Sequence, residues 1–410
     1  MSRPKTEPHR EPALSKVEER GSAGQHQGAA MKKGWQTRNL GELCRIRTGK
    51  KDVNQGNPDG KFPFFTCAAE HTFSDSYSFD TEALLIAGNG DVGKVSYCNG
   101  KFEAYQRTYV LSDFAEVLPR FLYLILDGKL KETVSKQKLG NTMPYIKVGM
   151  LTDFQLPVPP LAEQQRIVGV LDEAFAGLAT AKANAEKNLQ NARALFESHL
   201  QSVFTQRGPG WVEKPLAELC ERITKGSSPK WQGISYVDAP GILFVTSENV
   251  GEYDILLEQP KYVEEKFNAK DKKSILKNGD VLTNIVGASI GRTAVFDRDD
   301  VANINQAVCL IRCEPHLLNN YYLAYLLNSP VFKQVLHDNE VNNARANLSL
   351  GFFSQLPVPM PPIPKQKEIV AKLDAFREET QRLARLYERK LAALEALKKS
   401  LLHQAFTGEL

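Results

Sequence analysis

The residues best arranged to do chemistry are Gly88-Asn89-Gly90-Asp91-Val92-Gly93. They match the G-x-G-x-x-G fingerprint of a dinucleotide-binding turn, and they follow the strand-like run Ala83–Ala87. That chemistry requires a helix directly after the last glycine, because the helix N-terminus holds the pyrophosphate. The chain continues instead with Lys94-Val95-Ser96-Tyr97-Cys98 and the turn signal Asn99-Gly100, which predicts a hairpin. The nucleotide reading therefore lacks its helix.

Other catalytic signatures fail on composition. There is no G-x-x-x-x-G-K-[ST] loop and no H-E-x-x-H pair. Met143-Pro144-Tyr145 approaches the Pro-Pro-aromatic motif of amino-methyltransferases but lacks its first proline and the acidic or amide residue before it. Six cysteines and seven histidines are dispersed, and no two cysteines form a Cys-x-x-Cys pair. No catalytic residue, metal site or cofactor is expected, and scattered cysteines point to a reduced cytoplasm.

The chain does carry polar loops suited to nucleic acid. In the first half these contain Lys50, Lys51, Gln106, Arg107, Lys138 and Asn141. In the second half they contain Lys225, Asn305, Gln306, Asn343 and Arg345. Asn and Gln can bond adenine at two points in the major groove, and Arg or Lys can do so with guanine. Lysine runs more often serve phosphates. Each of these residues taken singly is also compatible with a plain solvated surface. Both halves share a glycine turn followed by a cation, Gly93-Lys94 and Ser289-Ile290-Gly291-Arg292. Such a turn suits a phosphate oxygen, and an ordinary sheet corner is the other reading.

Positioning these loops is the task of a repeat. Residues 156–205 open with Leu156-Pro157-Val158-Pro159 and close at Phe204-Thr205. Residues 356–407 open with Leu356-Pro357-Val358-Pro359 and close at Phe406-Thr407. Gln164 matches Gln366, Leu171-Asp172 matches Leu373-Asp374, and Ser198 matches Ser400. Proline cannot sit inside a helix, and past the prolines about 40 residues run without a strong break, a rod of roughly 60 Å. Apolar residues recur in steps of three and four: Ile167, Leu171, Ala174, Leu178, Ala181 and Ala185, then Ile369, Leu373, Phe376, Leu383, Tyr387, Leu394, Leu397 and Leu401. That is a coiled-coil seam. Pairing of the two rods is the economical inference; separate packing on globular neighbours is the alternative.

Trp35–Cys44 recurs as Trp211–Cys220, so the repeated unit is a globular part followed by a rod. Cys44 and Cys220 are expected as small core residues. In the first unit, strands are expected at Phe62–Cys67, Ala83–Ala87, Lys94–Cys98 and Thr108–Leu111, and a helix from Pro119 to about Lys136. In the second, strands are expected at Ile242–Thr246, Asp280–Val286, Thr293–Phe296 and Ala307–Ile311, and a helix over Asn320–Leu336. The fold class is α+β: two β-rich units in tandem, each followed by a long helix. The expected divisions are a disordered tail 1–31, a globular unit 32–157, a helix 158–206, a second unit 207–357 and a helix 358–410. Met31 is a possible true start.

Composition agrees. The chain has 410 residues, 42% hydrophobic and 24% charged, enough for two or three soluble domains. A net charge of +4 permits a nucleic-acid partner without requiring one. No apolar run approaches the roughly 20 residues that span a bilayer, so no membrane association is expected.

Leu156-Pro157-Val158-Pro159-Pro160 with Gln164-Gln165-Arg166-Ile167-Val168, and Leu356-Pro357-Val358-Pro359 with Gln366-Lys367-Glu368-Ile369-Val370, resemble the specificity subunit of bacterial type I restriction–modification systems. The resemblance covers residues 35–410; the tail departs from it. It implies two target-recognition domains on an antiparallel coiled coil with pseudo-two-fold symmetry, each reading half of a bipartite site on double-stranded DNA. It also implies two methyltransferase subunits and restriction–translocase subunits as partners, and no catalysis by this chain. Because the two units differ in sequence, the half-sites are expected to differ. A coiled-coil scaffold whose globular ends bind protein is the competing reading.

Overall fold

The computed structural model describes residues 32–137, 144–338 and 347–410. The expected tail 1–31 lies outside them. The described chain divides into one unit running to Gly177 together with Ala396–Leu410, and another spanning Leu178–Glu395. The division cuts both rods.

In the first unit the order is β1 (Gln36–Asn39), α1 (Leu40–Leu43), β2 (Arg45–Thr48), β3 (Phe62–Phe65), β4 (Thr72–Ser74), β5 (Phe79–Ala87), β6 (Val95–Ala104), β7 (Thr108–Ser112), α2 (Pro119–Gln137), α3 (Val148–Thr152), β8 (Gln155–Val158) and the start of α4 (Leu161–Thr205). Six strands form one sheet in the order β2-β7-β5-β6-β3-β4. Ala83–Ala87 is apolar throughout because both faces of the sheet are covered. Leu84 and Ile86 face a core with Phe121, Leu122 and Ile125 of α2, while Ala83 and Leu85 face Phe65 and Phe102 on the other side. Asn99-Gly100 is not a turn. β6 runs straight through it, with Asn99 opposite Glu82 and Gly100 opposite Thr81; the long partner β5 keeps the ladder going where the dipeptide alone suggests reversal.

The second unit repeats this framework with β9 (Val212–Pro215), β10 (Cys220–Lys225), β11 (Tyr236–Val237), β12 (Ile242–Val245), β13 (Tyr262–Val263), α5 (Lys266–Lys270), β14 (Asp280–Asn284), β15 (Thr293–Phe296), β16 (Ala302–Ile304), β17 (Val308–Cys313), α6 (Asn320–Asn328), α7 (Pro330–Asp338), α8 (Leu350–Gln355), β18 (Pro357–Met360) and α9 (Ile363–Thr407). Its sheets run β10-β17-β14-β15 and β11-β13-β12-β16. The counterpart of β6 is broken here into β15 and β16, separated by the charged stretch Asp297–Val301. The helix expected over Asn320–Leu336 is also broken. Pro330 has no N–H to continue α6, and the Ser329 hydroxyl accepts the Phe332 N–H at 3.4 Å to start α7.

The two Leu-Pro-Val-Pro runs are strands rather than helix openings. β8 pairs antiparallel with β1, and β18 with β9, so the entry and exit of each globular part are tied together. Prolines are tolerated because each ladder has only two strands and an open edge. α9 opens with Ile363-Pro364, where a missing N–H costs nothing in the first turn.

The rods pair antiparallel, each of 45 residues and about 67 Å. Within the first unit, the Arg166 guanidinium donates to the Leu410 carbonyl at 2.7 Å, and the Lys398 ammonium lies 5.4 Å from the Phe175 ring. Within the second, Lys182 meets Glu395 and Arg193 meets Glu388, both at 2.9 Å, and the Phe196 ring lies 6.3 Å from Phe376. Numbers rise on α4 as they fall on α9. Ile167, Leu171 and Ala185 are buried as the periodicity requires, but Leu397 is 48% exposed, and Thr380 is buried between Phe376 and Leu383.

The repeated Phe-Thr ends are explained by the cores. Phe204 packs edge-on to Tyr322 in the second unit, and Phe406 edge-on to Phe121 in the first. The repeated glutamine has a shared task too. Gln164 accepts the Leu118 N–H at 2.8 Å and donates to the carbonyls of Glu116 and Pro159. Gln366 accepts the Asn319 N–H at 2.8 Å and donates to the carbonyls of Leu317 and Pro361. Each buried amide pins the loop before α2 or α6 to the first turn of a rod. Gln164→Leu keeps the volume but strands those groups, and is expected to cost about 2–3 kcal/mol, read as a lowered thermal transition. An unchanged transition would mean the amide does not hold the junction.

Candidate nucleic-acid interface

A forbidden Cβ fixes one edge of each sheet. A side chain on Gly49 would place Cβ 1.8 Å from the Ala104 carbonyl oxygen, and one on Gly226 would place it 1.8 Å from that of Ile304. Only glycine permits that approach. It sets Lys50 beside the turn carrying Gln106 and Arg107, and Lys225 beside the turn carrying Asn305 and Gln306. The Gln106 N–H donates to the Lys51 carbonyl at 3.0 Å, and Lys225 stands opposite Cys309 in the ladder.

Not all of the expected residues are free at this edge. Lys50, Gln106, Arg107, Lys225, Arg292 and Gln306 are exposed. Gln106 makes one long bond, 3.3 Å, to Asp52. Lys51 is turned inward, 3.4 Å from the fully buried Glu103 and bonded to Ser74 and Ser76. Asn305 accepts the Ala307 N–H at 3.0 Å and shapes its own turn. Ser289 accepts from Asn284 at 3.2 Å. Lys138, Asn141, Asn343 and Arg345 lie outside the described residues. Tyr145 bridges to Asn89, and Asn347 to Val286.

The glycine–cation turns are sheet corners. Gly93 and Gly291 have φ of 81° and 83° and sit against Val134 and Leu336. Their N–H groups donate to Ala87 and Asn284, and those of Lys94 and Arg292 to Asp91 and Ser289. The backbone donors are thus used inside the hairpin. The cations remain available. Arg292 makes no ion pair with a described residue. Lys94 lines a cavity of about 390 Å³ with Phe65, Thr66, His71, Ser96 and Thr108. No helix follows Gly93 in the structure.

Two short 3-10 turns, Val53–Gln55 and Lys230–Gln232, follow the constrained glycines and share no sequence motif. Each starts four residues after the constrained glycine. The only sequence signal is a tryptophan in an otherwise polar loop, Pro229-Lys230-Trp231-Gln232-Gly233.

Two buried ionisable side chains, Arg312 and Cys44, serve the scaffold. Arg312 grips the buried Asp280 with two bonds of 2.7 Å, and that bond raises the guanidinium pKa. Burial pushes the Cys44 thiol up to about 12, so it stays protonated and inert. Among the described residues, no group of three or more His, Cys, Asp or Glu is placed to hold a metal ion. No helix among them is long and apolar enough to cross a membrane.

Comparison with known proteins agrees with this architecture. The sequence model of the type I restriction modification DNA specificity domain matches twice, over residues 32–189 and 209–389. The chain is 26% identical over 409 residues to the type I restriction enzyme EcoDI specificity subunit of Escherichia coli, covering 92% of this chain and 88% of the relative. It is 22% identical over 412 residues to the MjaVIII specificity subunit of Methanocaldococcus jannaschii, covering 93% and 94%. A solved chain described under complex assembly and conformational transition of the type I R-M system superposes with a TM-score of 0.75 at 19% identity, covering 93% of this chain and all of that one. The HsdS subunit of Thermoanaerobacter tengcongensis superposes at 0.58, also at 19% identity, covering 93% and 98%.

Proposed function

Because the chain belongs to the type I restriction–modification DNA specificity family, we propose that its two β-rich units each read one half of an asymmetric, interrupted site on double-stranded DNA. The chain is a specificity subunit, which selects a sequence and does not itself carry out the reaction. The observation that carries the split reading is a shared framework with unlike side chains at matched places. Gly49 and Gly226 make the same close approach, yet the exposed residues beside them are Lys50, Gln106 and Arg107 in one unit and Lys225 and Gln306 in the other.

On this reading 32–157 and 207–357 are the target-recognition domains, and 158–206 and 358–410 the spacer helices of a pseudo-two-fold arrangement. Two methyltransferase subunits, and then restriction–translocase subunits, dock on the spacer. The exposed apolar residues Val170, Leu195, Leu386 and Leu397 on the rods suit such docking. The assembly works in the reduced cytoplasm, in keeping with six free thiols among the described residues.

The test is binding of the chain, with its partner subunits, to duplex DNA across a salt series. With about six phosphate contacts, affinity should fall roughly 1,000-fold between 50 and 200 mM salt. Binding that ignores salt would contradict DNA recognition and favour a protein-binding scaffold.

A further inference from the structure

Resting on the DNA-recognition reading above, we propose that the tips of the two matched 3-10 turns, Asn54 in the first unit and Trp231 in the second, are base-reading residues. Trp231 is 84% exposed, whereas tryptophan is usually highly buried. Trp35 and Trp211 are half-buried, and the Trp231 ring stacks on no described residue.

The turn beneath Trp231 is firmly held. Gln232 donates to the Ser227 hydroxyl at 2.5 Å, and Ser227 donates in turn to the buried Asp271. Lys270 donates to the Gln232 carbonyl at 2.7 Å. The Ile234 N–H closes on the Pro229 carbonyl at 3.0 Å. Asn303, in the strand that Gly226 touches, donates to the Asp271 carbonyl at 3.1 Å. A braced base with a bare apolar tip is costly to leave in water, and it is the arrangement a preformed contact needs.

The first unit holds the same turn by other means. Asp52 caps it, the Gln55 side chain accepts the Asp52 N–H at 2.9 Å, and Asp52 also takes the bond from Gln106. Asn54 at the tip is exposed, and its side-chain amide bonds no described residue. The two tips thus occupy equivalent places, each five residues after its crowded glycine, Gly49 or Gly226, with different chemistry. The Asn54 amide can bond the N6 and N7 edge of adenine. The Trp231 indole offers an apolar face to a thymine methyl or an unstacked base, with Lys230 beside it for a phosphate.

The test compares Trp231→Ala and Asn54→Ala with the unchanged chain, each assembled with its partner subunits. Binding is measured to the cognate duplex, to single-base variants of each half-site and to unrelated duplex. Trp231→Ala should weaken cognate binding by about tenfold or more and flatten discrimination in one half-site alone. Asn54→Ala should do so in the other half-site alone, and neither should alter binding to unrelated duplex. Acrylamide quenching gives a second readout: the emission removed by Trp231→Phe should be shielded only in the cognate complex. Unaltered discrimination in both variants would overturn the assignment, as would a Trp231 that stays quenchable in the bound complex. So would loss of partner assembly with discrimination intact, which would make the tip a protein contact. If the unchanged chain discriminated no duplex at all, the DNA-recognition reading would fall first, and this assignment with it.

Discussion

Replacing residues 207–355 with the matching unit of another family member changes one half of the recognised sequence and leaves the other half as it was. The reason is that each unit carries its own cores. Val281 and Ile311 face one core of the second unit, and Leu282 and Leu310 face the other, while the first unit closes around Leu84, Ile86 and Phe121. The exchanged segment leaves Gln366, Ile369 and Leu373 in place on α9, so the new unit meets the same pinning amide and the same seam. Affinity for the original site should fall to the non-specific level, a loss of about 1,000-fold or more. A change in both half-sites would refute modular reading.

Removing a heptad from each rod, Leu178–Asn184 from α4 and Leu391–Leu397 from α9, should move the half-sites together. Seven residues keep the apolar faces in phase and shorten the pair by about 10.5 Å, the rise of about three base pairs of duplex. The original site should then be lost, by about 1,000-fold in affinity, and any new site should carry a spacer shorter by about three base pairs. Removing the heptad from α4 alone should abolish recognition, because it takes away Lys182, the partner of Glu395, and Arg193–Glu388 can no longer align together with the cores. Unaltered spacing and affinity in the double deletion would end the idea that the rods act as a ruler.

The architecture was legible because it is written twice. Gln164 and Gln366, Phe204 and Phe406, and Asp172 and Asp374 are matched in sequence for reasons the structure makes plain. The two aspartates, for instance, accept bonds from Arg120 and from the Tyr325 hydroxyl. Where one local signal stood alone, tertiary context overrode it. Asn99-Gly100 reads as a turn, yet sits in a ten-residue strand because β5 pairs with it from Val95 to Phe102. Leu-Pro-Val-Pro reads as the opening of a helix, yet pairs with a strand more than a hundred residues away.

The candidate interface was legible only in part, because residue type does not tell which way a side chain is committed. Lys50 and Lys51 are neighbours of one type, but Glu103 draws only the second inward. No pattern marks Glu103 as buried before the sheet is assembled. The matched turns at Asn54 and Trp231 escaped because they share position and not sequence; the alignment runs through the buried glycines Gly49 and Gly226, whose crowding appears only in three dimensions.

The central claim is that this chain supplies a two-part sequence choice to a reaction performed by other subunits. It is tested most directly by mapping methylated bases across the host genome with and without the chain. The account predicts one interrupted motif with two unlike halves, present with the chain and absent without it. A palindromic or uninterrupted motif, or a methylation pattern unchanged by its removal, would contradict the account.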